Sequence, residues 1–153
     1  MEYIGMIAAV LAVEILLRRA VRRKLKEGEG RELSGWPIRL QRYHNYGMAE
    51  NRLEKKPLLV KIIGVAAVSV VVGIFLMILP LKGKRGLKIA LSLILGGGLA
   101  NLIERFLHGY VTDYFQIKVP LPRIRNLVFN VADFCIFIGA ALMVISECCR
   151  MEK

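Results

Sequence analysis

The chain holds 153 residues, enough for one compact domain and too few for two ordinary ones. It is 56% hydrophobic with a mean hydropathy of +0.50, yet it carries a formal net charge of +11. That combination excludes an ordinary soluble domain and fits an integral membrane protein with basic loops.

Nucleic acid is not expected as a partner, because the basic residues cluster between apolar runs instead of forming a stripe with interleaved aromatics. Cys135, Cys148 and Cys149 form no CxxC, and adjacent cysteines rarely bridge, so they read as packing residues without a disulfide framework. Together with His44 and His108 they offer no recognisable zinc spacing, and no metal is expected. Residues 1–17 lack a basic leader and a small-residue cleavage site, so the first apolar run is expected to stay in the protein.

Residues 3–17 are apolar except for Glu14. A helix crossing the hydrocarbon needs about 20 residues, so the first span is drawn over 3–21 with its arginines snorkelling to the interface. Glu14 and Arg18 stand four apart on one face and read as charge neutralisation near the helix end. Residues 22–56 are polar and basic, punctuated by Gly28, Gly30, Gly35 and Pro37. Within them Trp36, Ile38, Leu40 and Tyr43 partly alternate with polar residues, the pattern of short strands or an interfacial segment. Asn45-Tyr46-Gly47 is turn chemistry. This insert is expected to form a small extramembrane subdomain lying against the bilayer.

Residues 62–81 run 20 positions without a charge, giving a second helix of about 58–81 that ends at Pro80 and Gly83 before the basic loop 82–88. A third helix covers about 86–106, where Gly96, Gly97 and Gly98 allow a neighbouring helix to approach closely. Gly97, Asn101, Glu104, Arg105 and His108 recur at three- and four-residue spacing as one polar stripe. Such a stripe is expected to face the bundle interior or a wet cavity. Residues 110–115 are β-branched and aromatic between turn signals, and Pro120 and Pro122 keep the next segment from being helical. The fourth helix is drawn over about 129–147, with Asp133 the only charge between Leu127 and Ser146 and Asn130 three residues before it on the same face. The expected fold is a single all-α membrane domain of four transmembrane helices, with a partly β subdomain after the first.

Asp113 and Asp133 flank one short loop, so if the runs on either side cross a membrane both carboxylates lie at the same depth of the same face. Two carboxyls a few ångströms apart cannot both ionise readily; one proton is shared and the apparent pKa values split. That is the working state of an aspartic protease. No Ser-His-Asp set appears at one depth. Spacing alone leaves another arrangement open, in which Asp113 caps a turn and Asp133 pairs with Arg105 across the bundle. A non-catalytic carrier or proton-coupled transporter with Asp133 and Arg105 as an intramembrane ion site is then the alternative function.

Over residues 96–137 the chain resembles the lipoprotein signal peptidases (signal peptidase II), bacterial membrane aspartic peptidases. Residues 97–105, GGLANLIER, are similar to the family's GG(A/I)xxNLxDR segment, residues 108–114, HGYVTDY, to its GYVxDF motif, and residues 129–133, FNVAD, to its FNxAD motif. Weaker likenesses are NYGMA at 45–49 for NxGxAF, and Glu14 with Arg18 for an Asp and a Lys in the first helix. The resemblance implies that Asp113 and Asp133 are the catalytic dyad. Asn101, Arg105, Asn130 and Ala132 would support the site and bind substrate main chain, while Asn45 and Gly47 would belong to an extracytoplasmic cradle. It further implies a cofactor-free enzyme, acting as a monomer beside membrane lipids, that cuts prolipoproteins ahead of a cysteine carrying diacylglyceryl. The expected location is the bacterial cytoplasmic membrane, multi-pass, with the active site toward the extracytoplasmic face.

Glu104 and Glu14 each replace an Asp of the family pattern, and Glu50 stands where the family has an aromatic. The basic insert also conflicts with that orientation. Residues 18–56 hold twelve Lys and Arg against four in 82–88, and the positive-inside rule alone would turn the insert toward the cytoplasm. The expectation follows the family, with the excess charge binding anionic headgroups.

Overall fold

The computed structural model describes residues 1–48, 51–118, 120 and 127–151. Among them the elements run α1 (Glu2–Lys24), β1 (Gly30–Glu32), β2 (Ile38–Asn45), α2 (Pro57–Ile78), α3 (Arg85–His108), β3 (Val111–Ile117), β4 (Val128–Phe129) and α4 (Val131–Met151). Ala49 and Glu50, the end of the NxGxAF-like stretch, and Pro122 lie outside the described residues.

Helix α3 is the hub, packing against α1, α2 and α4. Its glycine triplet explains how one helix serves three neighbours, since successive positions turn about 100° around the axis. A Cβ on Gly96 would come 2.7 Å from Val10 of α1, and one on Gly98 would sit 3.3 Å from Val68 of α2. One on Gly97 would collide with the Ala132 carbonyl oxygen and lie 2.9 Å from Ile136, both of α4. Hydrogen in place of Cβ therefore sets how closely three helices approach. Away from the strands, Phe75, Leu87, Leu91 and Leu95 form an apolar cluster with Tyr3, Ile7 and Met143 around it.

Among the described residues, three helical segments are long and apolar enough to cross a membrane: Pro57–Ile78, Arg85–His108 and Val131–Cys149. Helix α2 turns most of its surface outward, with Ile62, Val65, Val70, Leu76 and Met77 exposed. An apolar helix uncovered on that scale needs lipid around it. Pro57 opens the helix where its missing N–H costs nothing, and the helix stops at Ile78 before Pro80 rather than continuing to 81.

The strands form one antiparallel sheet in the order β1-β2-β3-β4. This corrects the expectation that the β structure belongs to the insert after the first helix: only β1 and β2 come from there, and β3 and β4 follow α3. Strand β2 pairs with β3 from Ile38 opposite Ile117 to Asn45 opposite Val111, with an irregularity between Leu40 and Tyr43. Val128 and Phe129 pair with Gln116 and Phe115, which moves the start of α4 from 129 to Val131. Gly109, at φ 81°, closes α3 in the left-handed conformation and turns the chain directly into β3. His108, counted in the polar stripe, is consequently exposed at the helix end, whereas Glu104 is buried. Cys148 and Cys149 are exposed rather than packed.

Candidate active site

Strand β3 delivers Asp113. Its side chains alternate, so Val111 and Asp113 face a cavity while Thr112 and Tyr114 turn the other way. The Thr112 hydroxyl donates to Glu104 at 2.8 Å and the Tyr114 hydroxyl to Glu14 at 2.9 Å. Asn45, opposite Val111 on β2, reaches diagonally to donate its amide to Asp113 Oδ2 at 3.0 Å. The Asn45 oxygen accepts the Gly47 N–H at 3.1 Å, which leaves its NH2 for the carboxylate.

The first turn of α4 delivers Asp133. Asn130 Oδ1 accepts the Asp133 N–H at 2.9 Å, and Asp133 Oδ2 accepts the Asn130 N–H at 3.1 Å. This is the reciprocal exchange of a capping box, with Asp in the place of Glu. With its oxygen committed there, Asn130 donates its amide to Asp113 Oδ1 at 2.7 Å. Asn101 of α3 donates to Asp133 Oδ1 at 2.9 Å. All four oxygens of the two carboxyls thus accept a hydrogen bond from an asparagine.

A layer of buried charge stands behind these asparagines. Arg18 Nη2 donates to the Asn101 side-chain oxygen at 2.6 Å, and Nη1 donates to the Ala100 carbonyl at 3.0 Å. Arg18 Nε lies 2.8 Å from Glu14 Oε1, and Arg22 pairs with Glu104. Glu14 is wholly buried and Arg18 nearly so. The pair expected from their spacing is thus formed, and it lies in the core. Tyr114, donating to Glu14, accepts the Val131 N–H at 3.2 Å and so ties α1 to the start of α4.

Asp113 is 2% exposed. Burial, followed by the negative charge of Asp133, pushes its pKa up to about 7 against the opposing pull of the Asn45 and Asn130 amides. Both aspartates line a cavity of about 360 Å³ together with Asn45, Asn101, Arg105 and Asn130, and Met48, Phe129 and Phe137 supply part of its apolar wall. Arg105 donates to the Gly47 carbonyl at 2.9 Å and to the Asn101 carbonyl at 3.5 Å. An Arg105–Asp133 ion pair across the bundle, the other arrangement open from spacing, is not formed.

Six of the eight residues singled out in the sequence meet at the cavity. Gly47 stands one bond back, holding Asn45 and Arg105, while Ala132 is fully buried beneath Gly97. Sequence reasoning missed the bond from Arg18 to Asn101, the Tyr114 tie, and Met48 and Phe137 in the wall. An arginine four residues after a glutamate within an apolar run was the available signal for the first.

A sequence model of the family described as Signal peptidase (SPase) II matches residues 6–149. The chain belongs to the signal peptidase II family. A lipoprotein signal peptidase of Listeria monocytogenes serotype 4a is 31% identical over 148 residues, which is 95% of this chain and 92% of the relative. One from Lactiplantibacillus plantarum is 29% identical over 94% of this chain and 91% of its own. One from Cupriavidus taiwanensis is 39% identical over 87 residues, spanning only 48% of its length. A bacterial membrane enzyme solved by the in meso method shares the fold, with a TM-score of 0.80 at 23% identity over 95% of this chain and 87% of that one. Family membership makes the protein a multi-pass bacterial membrane protease of lipoprotein processing.

Proposed function

We propose that the protein is an aspartic endopeptidase that removes the signal peptide from prolipoproteins ahead of the diacylglyceryl-modified cysteine. The observation that carries this reading is the convergence of Asp113 and Asp133 on one cavity, each oxygen hydrogen-bonded and the two residues joined through Asn130. Asp113 is the more deeply buried, and its raised pKa suits it to carry the proton of the pair in the working form. The Asp133 carboxylate takes a proton from water, whose oxygen bonds to the scissile carbonyl carbon while Asp113 gives its proton to the carbonyl oxygen. Collapse of the resulting diol breaks the C–N bond: the proton taken up by Asp133 passes to the leaving amine, and one diol hydroxyl returns its proton to Asp113 as the new carboxyl forms. No metal or cofactor enters this scheme.

Asn45, Asn101 and Asn130 fix the carboxylates, and Arg105, with Gly47 beside it, binds substrate main chain at the cavity rim. The single domain acts as a monomer among membrane lipids. Helix α1 is its fourth span: Glu14 and Arg18, the charges inside its apolar run, are buried against each other. The sheet and the dyad face the extracytoplasmic side, where the lipid anchor of the substrate holds the bond to be cut at the interface. The carrier alternative is not favoured: Arg105 engages the Gly47 and Asn101 carbonyls instead of forming an ion site with Asp133.

The test is cleavage of a diacylglyceryl-modified lipobox peptide by purified protein. Asp113→Asn and Asp133→Asn should each abolish it while the protein still inserts, and processing retained by either variant rejects the dyad. Labelling of single cysteines introduced across residues 22–56 from outside the cell tests the orientation.

A further inference from the structure

We infer that a groove between α2 and α3 receives an acyl chain of the lipidated cysteine, an inference that rests on the peptidase reading and gives the substrate's lipid a place on this chain. The groove holds about 210 Å³ and is lined by Val60, Ile63, Gly64 and Ala67 of α2 together with Met48 and Arg105. Met48 and Arg105 also line the cavity that contains Asp113 and Asp133. The two spaces are therefore neighbours across one arginine and one methionine.

Chemistry matches each end of this path to one part of the ligand. The α2 wall is hydrocarbon only, and past Lys61 the helix carries no charge to its end at Ile78, so a chain lying there continues into lipid along an uncharged surface. Gly64 keeps the groove floor low: a Cβ there would come 3.1 Å from Leu102 of α3. At the cavity end, Arg105 spends its Nη atoms on the Gly47 and Asn101 carbonyls, while its Nε is buried and finds no acceptor among the described residues. An ester carbonyl of the glyceryl group supplies the acceptor that a buried N–H needs. The modified cysteine is the first residue after the scissile bond. Its thioether branch therefore leaves the dyad within a bond or two, and the groove across Arg105 leads it out toward the membrane.

Ala67 lines the groove and Ala66, the residue before it, is not part of the lining. Cleavage is measured on two peptides that differ only in the diacylglyceryl chains, palmitoyl or hexanoyl. Ala67→Phe should raise KM for the palmitoyl peptide about tenfold, the discrimination a filled apolar pocket gives, with kcat unchanged and the hexanoyl peptide affected far less. Ala66→Phe should behave as wild type with both peptides. Independently of turnover, a palmitoyl peptide with a diazirine in one acyl chain, bound to Asp113→Asn protein, should crosslink to the tryptic segment following Lys61. Equal effects of the two phenylalanines, equal effects on both chain lengths, or crosslinks spread over every lipid-facing helix overturn the groove and leave the peptidase intact. Failure of wild type to cut either peptide overturns both.

Discussion

Asn130 gives its side-chain amide to Asp113 at 2.7 Å and its main-chain N–H to Asp133 at 3.1 Å, so one residue sets where both carboxylates stand. Asn130→Ala removes the first bond and the side-chain half of the α4 cap together. The expected result is a loss in kcat of roughly 10²–10³-fold, the scale of one preorganised donor, with a smaller change in KM. Steady-state cleavage of the lipopeptide measures both.

The raised pKa of Asp113 fixes the sign of two pH effects. Its folded value of about 7 lies above the ordinary 3.8, so between these the folded protein keeps a proton that the unfolded chain has released. Stability contributed by that proton is complete at low pH and is lost as pH rises from about 4 through 7. Thermal unfolding in detergent should show Tm falling across that interval, with a shallower slope for Asp113→Asn. Activity should fall on the alkaline side of the same pKa, where the proton shared by the dyad is gone.

Arg18 separates packing from positioning. Arg18→Met strands Glu14 in the core, and breaking a buried pair costs about 3–5 kcal/mol, read as a lowered Tm. Glu14→Leu in the same protein should restore much of the stability. It should not restore activity, because the Asn101 oxygen still lacks the donor that orients its amide toward Asp133. Recovery of Tm without recovery of kcat is the expected signature.

Neighbouring glycines should differ sharply. Gly97→Ala drives a methyl against the Ala132 carbonyl, one residue from Asp133, and should cost about 1–3 kcal/mol with a marked loss of cleavage. Gly98→Ala meets Val68 at 3.3 Å, a side chain able to yield, and should stay near wild type in both measurements.

Much of this site was legible because its chemistry is written in short, ordered stretches: the polar stripe of α3, the strand-like run around Asp113, and Asn130 three residues ahead of Asp133. The partner of that strand was not. Residues 38–45 pair with 111–117 across two intervening helices, and the irregularity between Leu40 and Tyr43 blurs the alternation that marks a strand. The reach of Arg18 to Asn101 was not legible, because spacing pairs it only with Glu14 and the approach of α3, allowed at Gly96, is what encloses the pair. His108 was over-read because the stripe was carried to the last residue of the helix, where the side chain stands exposed.

The sheet joins a strand made before α2 to one made after α3, and the carboxylate of α4 completes what that strand begins. During synthesis the groups meet only once the ribosome has passed Asp133. If Asp113 and Asp133 are the proposed dyad, a half-finished chain threading into the membrane cannot yet cut.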